Sequence, residues 1–186
     1  MDHHSGYLEI ILGPMFSGKT TKLMETYHLY NSRHGKKVII LGHNIDDRYD
    51  KYQITSHDKR ELLDCYKCKT IDEFIEKHPK DIDDCDVLLI DECQFFSDIE
   101  NIIKIVNMGK QVFIFGLDGD ANQKLFGNTY KLIPLCDKII KLNGRCNDCG
   151  IENGSIVSVC NKNFEQKGQI DVGGDDKYHS LCRKCC

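Results

Sequence analysis

No stretch of this chain approaches the ~20 consecutive apolar residues that cross a bilayer, and Met1 to Gly6 lacks the apolar core of a secretory signal. A membrane partner and export are therefore not expected, and the sequence reads as a soluble, cytoplasmic protein. Positive charge is also in short supply. The 29 acidic residues outnumber 25 basic ones, the formal net charge is -4, and no local lysine or arginine cluster stands out. A nucleic-acid partner needs such a basic footprint, so none is expected. Internal repeats and low-complexity tracts are missing as well, and 186 residues suffice for one ordinary domain with a small appendage. Cysteine, by contrast, is abundant at eleven. Without an export signal these cysteines point to a reducing compartment, where clusters of thiols mean metal more often than disulfides.

Gly13, Pro14, Met15, Phe16, Ser17, Gly18, Lys19 and Thr20 fit G-x-x-x-x-G-K-[ST], the phosphate-cradling loop. Several N–H donors must converge on phosphate oxygens, so the backbone has to come close and the following helix has to aim its amino end at the anion. Lys19 would reach the β/γ-phosphates and Thr20 would offer its hydroxyl to Mg²⁺. The surroundings agree: Tyr7 to Leu12 reads as a strand, and Lys19 to His34 as a helix with Leu23, Tyr27 and Tyr30 at helical spacing, closed by Gly35.

Val38 to Leu41, Asp86 to Ile90 and Gln111 to Phe115 are unbroken apolar runs of the kind found in strands buried on both faces. Gly42 to Lys69 reads mostly as loop. Thr70-Ile71-Asp72-Glu73 and Ser97-Asp98-Ile99-Glu100 fit capping boxes, opening helices that should run to about His78 and to Gly109. The alternation predicts an α/β fold: a P-loop parallel sheet with helices on both faces, binding its ligand at the strands' carboxyl ends, where Gly13, Asp91 and Asp118 fall. Near Arg145 the pattern changes to short strand-like runs, Ser155 to Val159 and Gln169 to Val172. The boundary is placed there, giving a P-loop nucleotide-binding domain over 1–144 and a small zinc-ribbon-like domain over 145–186.

An apolar strand ending in Asp downstream of a P-loop commonly completes a phosphate site, so Asp91 suits Mg²⁺. Glu92 beside it suits a general base, taking a proton from water or from a substrate hydroxyl. Phe95 and Phe96 are core residues or, at this edge of the sheet, a stacking face for a planar base. Cys146-x-x-Cys149 and Cys182-x-x-Cys185 offer four thiolates to a structural Zn²⁺. A third pair, Cys65-x-x-Cys68, is either coincidental or a replacement for one of the others. Coincidence is preferred because it lies inside the α/β part. Cys85, Cys93, Cys136 and Cys160 read as small buried residues and Cys186 as a free terminal thiol.

These motifs, with Asp46-Asp47-Arg48-Tyr49, Asp91-Glu92-Cys93-Gln94-Phe95-Phe96, Leu117-Asp118-Gly119, Lys124-Leu125-Phe126-Gly127 and Gly173-Gly174-Asp175-Asp176-Lys177-Tyr178-His179-Ser180-Leu181-Cys182, resemble the cytosolic-type (type II) thymidine kinases over nearly the whole chain. The resemblance implies ATP-dependent phosphorylation of the 5′-hydroxyl of thymidine, with Glu92 as base, Asp91 near Mg²⁺, a zinc-bearing lasso and a homotetramer. It places Asp46, Arg48 and Gln94 with the P-loop around the nucleotide. Met15, Phe95, Leu117 and Phe126 would surround the thymine, Tyr178 would close over it, and the backbone of Gln169, Ile170, Asp171, Val172 and Gly173 would bind it. For Tyr178 the alternative is packing inside the ribbon, where its hydroxyl would need a partner. Ala121 departs from an aromatic residue often found in such kinases, and Glu152 to Gly168 matches poorly. A P-loop ATPase or nucleic-acid motor is the runner-up and a zinc-held interaction module the third reading. The acidic balance and short length weigh against the motor, and the module leaves Glu92, Phe95 and Tyr178 unused.

Overall fold

A computed structural model of the chain describes residues 5–45, 53–55, 62–161, 163–164, 168–171 and 173–186, with the backbone alone at 53–55 and 62. Strands β1 (Tyr7–Leu12), β2 (Val38–His43), β5 (Tyr66–Cys68), β6 (Val87–Ile90), β7 (Gln111–Gly116) and β8 (Lys138–Lys141) form one sheet in the order β5-β2-β6-β7-β1-β8. Every pairing in it is parallel. A small antiparallel hairpin of β3 (Gln53–Thr55) and β4 (Leu62–Asp64) precedes β5, and a second one joins β9 (Val157–Cys160) to β10 (Tyr178–Leu181).

The apolar runs are continuous because each strand feeds two cores. Leu88 and Ile90 of β6 join Leu8, Ile10, Val112 and Ile114 on one face, under Ile71, Phe74, Ile82, Ile99 and Ile102. Val87 and Leu89 join Ile11, Ile40, Phe113 and Phe115 on the other, under Leu23 and Met24 of α1 (Lys19–His28). Side chains of successive strand residues point to opposite faces, so a strand covered twice has no polar side to show. Burying this surface at roughly 25 cal/mol per Å² is what holds the sheet.

Several elements differ from the sequence reading. The first helix is α-helical only to His28, and Leu29–Arg33 continues as a wider π turn before Gly35, with φ of 61°. The stretch read as loop contains β5, whose short polar sequence hides an edge strand. After α2 (Ile71–Lys77) a further short helix, α3 (Pro79–Asp84), starts at Pro79, where a missing N–H costs nothing. Pro79 therefore begins one helix as well as ending another. Ile99–Ile102 is a 3-10 turn leading into α4 (Ile103–Val106), and Thr129–Leu135 is another 3-10 segment before the unforeseen edge strand β8. Gln169 to Ile170 is not a strand, and Val172 lies outside the described residues; Tyr178–Leu181 pairs with Val157–Cys160 instead. Cys136 and Cys160 are half-buried rather than buried.

The two capping boxes also fared differently. Thr70 accepts from the Glu73 N–H at 3.0 Å, and the Glu73 carboxylate reaches back to the Lys69 N–H at 2.7 Å. At the second site no side-chain cap forms. Asp98 turns instead to α2, accepting from the Ile71 and Asp72 N–H groups at 2.9 and 3.0 Å, while Glu100 pairs with Lys131 at 2.6 Å. One helix start is thus capped twice, once from a distant turn. Asp98→Ala should lower stability by about 1 kcal/mol, as should Thr70→Ala. Urea unfolding of both variants checks this, and an unchanged midpoint for Asp98→Ala would remove the cap.

Candidate active site

At the carboxyl end of β1 the P-loop runs beside the end of β7, with the Gly13 N–H donating to the Gly116 carbonyl at 3.2 Å. Phe16 and Gly18 have φ of 60° and 84°, turning the loop so that α1 starts at its far end. Gly18 meets no steric cost there, whereas Phe16 does. Helix α1 has no side-chain cap and no acidic residue in its first turn. The Ser17 hydroxyl is buried with no hydrogen-bond partner. Open helix-end N–H groups and a buried unpaired hydroxyl fit a phosphate, which accepts from both.

Lys19 donates to the Gly13 and Pro14 carbonyls at 3.1 and 2.6 Å. Desolvation lowers its pKa, and the nearby charges of Glu92, Asp91 and Asp118 oppose that shift. A cation and three carboxylates from the ends of three strands thus meet at one place. Asp118 is paired with Lys141 at the end of β8. Cys93, buried beneath the same strand ends, is pushed by burial up to about 12, so its thiol stays protonated and structural.

Glu92 stands in the left-handed region, φ 50° and ψ 45°, a conformation that costs a non-glycine residue on the order of 1 kcal/mol. Gln94 holds its carboxylate there. The Gln94 side-chain NH₂ donates to Glu92 Oε2 at 2.6 Å, and its carbonyl oxygen accepts from the Leu117 N–H at 2.9 Å. Gln94 is only 3% exposed. Its amide fits because residue 116 is glycine: a Cβ there would lie 2.5 Å from Gln94 Oε1 and 2.4 Å from Cys93 Sγ. Both ends of the Gln94 amide are therefore engaged within the protein, orienting Glu92.

The aromatic candidates separate. Phe96 is fully buried, whereas Phe95 is half-buried and meets Phe126 edge to face at 5.7 Å between ring centres. Tyr178 is 7% exposed and its hydroxyl donates to the Asp171 carbonyl at 2.5 Å, the partner that a packed tyrosine requires. The Asp171 carboxylate pairs with Lys177. Gln169 donates from its side chain to Asp120 Oδ2 at 3.0 Å and to the Leu125 carbonyl at 2.9 Å, tying the lasso to the turn before Phe126. Ile170 is exposed, Leu117 and Gly173 are half-buried, and Asp46, Arg48 and Val172 lie outside the described residues.

Cys146, Cys149, Cys182 and Cys185 place their sulfurs within 4.8 Å of one another, with Cys149 and Cys182 at 3.7 Å. Sulfurs about 2.3 Å from a tetrahedral Zn²⁺ are separated by ~3.8 Å, so the set suits that ion. Backbone N–H groups of Cys149, Cys182 and Asp148 favour the Cys146 thiolate, the ligand form. Cys65 and Cys68 are buried on opposite faces of the sheet, one in each core, and cannot share a metal with each other.

The chain matches the family model described as thymidine kinase over residues 6–186. A thymidine kinase of Amsacta moorei entomopoxvirus is 38% identical over 181 residues, covering 96% of each chain. The cytosolic thymidine kinase of Gallus gallus is 34% identical over 182 residues, 97% of this chain and 76% of the relative. A thymidine kinase of vaccinia virus is 36% identical over 187 residues, 98% and 97% of the two chains. The chain belongs to the thymidine kinase family.

Within this thymidine kinase family member the sequence reading missed the residues that hold the site rather than line it. Lys141 pairs with Asp118 across strand ends, and Asp120, 6% exposed, accepts from the Asn122 and Lys124 N–H groups at 2.9 Å to fix its turn. Buried Ser158 and Ser180 bind the backbone of Met15. The signal for those serines is slight, a place between two valines for Ser158 and before Leu181 for Ser180, and has meaning once the hairpin is known. Gln94→Leu should remove the partner of the buried Leu117 N–H and one hydrogen bond to the Glu92 carboxylate, and cost about 1–3 kcal/mol. Chemical denaturation measures this; parent stability would show that the amide holds nothing.

Proposed function

We propose that the chain is an ATP-dependent thymidine kinase, transferring the γ-phosphoryl group of ATP to the 5′-hydroxyl of thymidine to give dTMP for nucleotide salvage and DNA precursor synthesis. The observation that carries this reading is the convergence of Lys19 with Glu92, Asp91 and Asp118 at the P-loop of a thymidine kinase family member. The 5′-oxygen attacks the γ-phosphorus, the bond to the β,γ-bridging oxygen breaks, ADP leaves, and Glu92 accepts the hydroxyl proton. Lys19 and the P-loop N–H groups balance phosphate charge, an electrostatic and positioning task that dominates phosphoryl transfer. Thr20 and Asp91 would hold Mg²⁺, which adds charge neutralisation when bound.

Asp46 and Arg48 belong to the nucleotide side of this reading. Met15, Leu117, Phe95 and Phe126 belong to the thymine side, with the lasso backbone from Gln169 to Gly173 and Tyr178 completing it. The chain divides into a P-loop domain over 1–144 and a zinc-binding lasso domain over 145–186, which has its own small apolar cluster of Cys146, Leu181 and Cys182. The protein acts in the cytoplasm as a homotetramer. Exposed Ile133, Leu135 and Ile139 beside the edge strand β8 supply apolar surface for such assembly.

ATP consumption should require thymidine and yield dTMP in equal amount to ADP. Consumption that proceeds equally without nucleoside, or only with nucleic acid, would contradict the kinase reading. Metal analysis should find one zinc per chain in the parent and in Cys65→Ser, and a loss in Cys146→Ser. Zinc loss in Cys65→Ser would show that the wrong cysteine pair had been chosen.

A further inference from the structure

The backbone of Met15, in the P-loop, is held on both sides by the cysteine-rich hairpin. Its N–H donates to Ser158 Oγ at 2.7 Å, and its carbonyl accepts from Ser180 Oγ at 2.5 Å. Ser158 and Ser180 face each other across the β9–β10 ladder and are 5% and 0% exposed. Neither hydroxyl is therefore a chance surface contact. Two strand residues placed opposite each other point to the same face, so the pair forms a two-pronged clip.

The clip is itself anchored at the thiol cluster. Asn147, between Cys146 and Cys149 in sequence, accepts from the Ser180 N–H through Oδ1 at 2.7 Å and donates its own N–H to the Ser180 carbonyl at 2.9 Å. Cys182 follows Ser180 by two residues, and its N–H donates to Cys146 Sγ at 3.4 Å. A continuous hydrogen-bonded path thus runs from the four-cysteine cluster through Asn147 and Ser180 to the carbonyl of Met15, four residues before Lys19. Gly144, where the chain leaves the sheet for the hairpin, donates its N–H to Ser155 Oγ at 2.9 Å, fixing the base of the hairpin beside the loop.

We propose that Ser158 and Ser180 are positioning residues for nucleotide binding: they set the P-loop backbone at Met15, so the metal-held hairpin preorganises the phosphate cradle as well as carrying the lasso. The proposal rests on the P-loop binding ATP, as read under Proposed function, and adds that the cradle's shape depends on this clip. A P-loop needs its N–H groups aimed together before phosphate arrives, and an anchor on both the N–H and the carbonyl of one residue removes the rotation of its flanking peptides. The expected consequence is specific. Without the clip the loop loses affinity for the triphosphate, while the four-thiol site at the base of the hairpin keeps its metal.

The test is calorimetric titration of the full-length protein with ATP, alongside zinc content and the two KM values. Ser158→Ala and Ser180→Ala should each weaken ATP binding about tenfold, the order expected when one buried backbone group loses its partner. They should raise the KM for ATP in parallel, raise the KM for thymidine less, through the Met15 side chain, and retain one zinc per chain. Ser158→Thr keeps the acceptor oxygen in a strand that tolerates β-branching and should bind ATP like the parent. Parent-like ATP affinity in both alanine variants overturns the clip. Loss of zinc in proportion to lost ATP affinity also overturns it, because the serines would then only be folding the hairpin. Failure of the parent itself to bind ATP would refute the underlying nucleotide reading instead.

Discussion

An ammonium taken out of water must be surrounded by compensating charge, and that requirement at Lys19 organises the centre of this molecule. Two carbonyls of its own loop accept its hydrogen bonds, and carboxylates from the ends of β6 and β7 supply the opposing field. Only the strand order makes this possible. With β6 and β7 paired and β7 beside β1, the residues that follow each strand come out next to the loop that follows β1. Parallel strands covered by helices on both faces place all these ends on one edge. The apolar cores are therefore what bring the charges together, and Glu92 in its left-handed conformation, braced by Gln94, sits at the same edge.

The hairpin at the carboxyl end is joined to this edge in more than one way. It reaches the phosphate loop at Met15 and, through Gln169, the turn that precedes Phe126. A segment with only three buried apolar residues in its cluster has little core of its own, so a metal at the four thiols would supply much of its rigidity. In the proposed reading that rigidity would pass to two walls of one site, joining metal binding to catalysis without the metal entering the chemistry.

Much of this was legible beforehand because local patterns and tertiary demands agreed. The P-loop, the buried strands around it, Asp91 and Glu92 at a strand end, and the four thiols all carry strong short-range signals. What escaped notice has few such signals. Strand β5 is three residues of mixed character whose pairing with β2 is a tertiary fact, and β8 is an exposed edge rich in lysine. Ser97-Asp98-Ile99-Glu100 reads as a cap for the helix that follows it, yet the Asp98 carboxylate serves α2, far away in sequence, because packing brings that helix start close. Gln94, Ser158 and Ser180 are polar residues whose roles depend on what lies across a strand end, and no spacing rule announces that. Tyr178 was read as a lid, with ribbon packing as the alternative, and its hydroxyl is partnered inside the lasso by Asp171.

The central proposal is a division of labour in which Lys19 balances phosphate charge and Glu92 takes the proton. Measuring ATP affinity and kcat on Lys19→Ala and Glu92→Gln tests it most directly. The account predicts that Lys19→Ala loses ATP binding, while Glu92→Gln binds ATP like the parent and loses ~10² or more in kcat. Turnover of Glu92→Gln at the parent rate would contradict it.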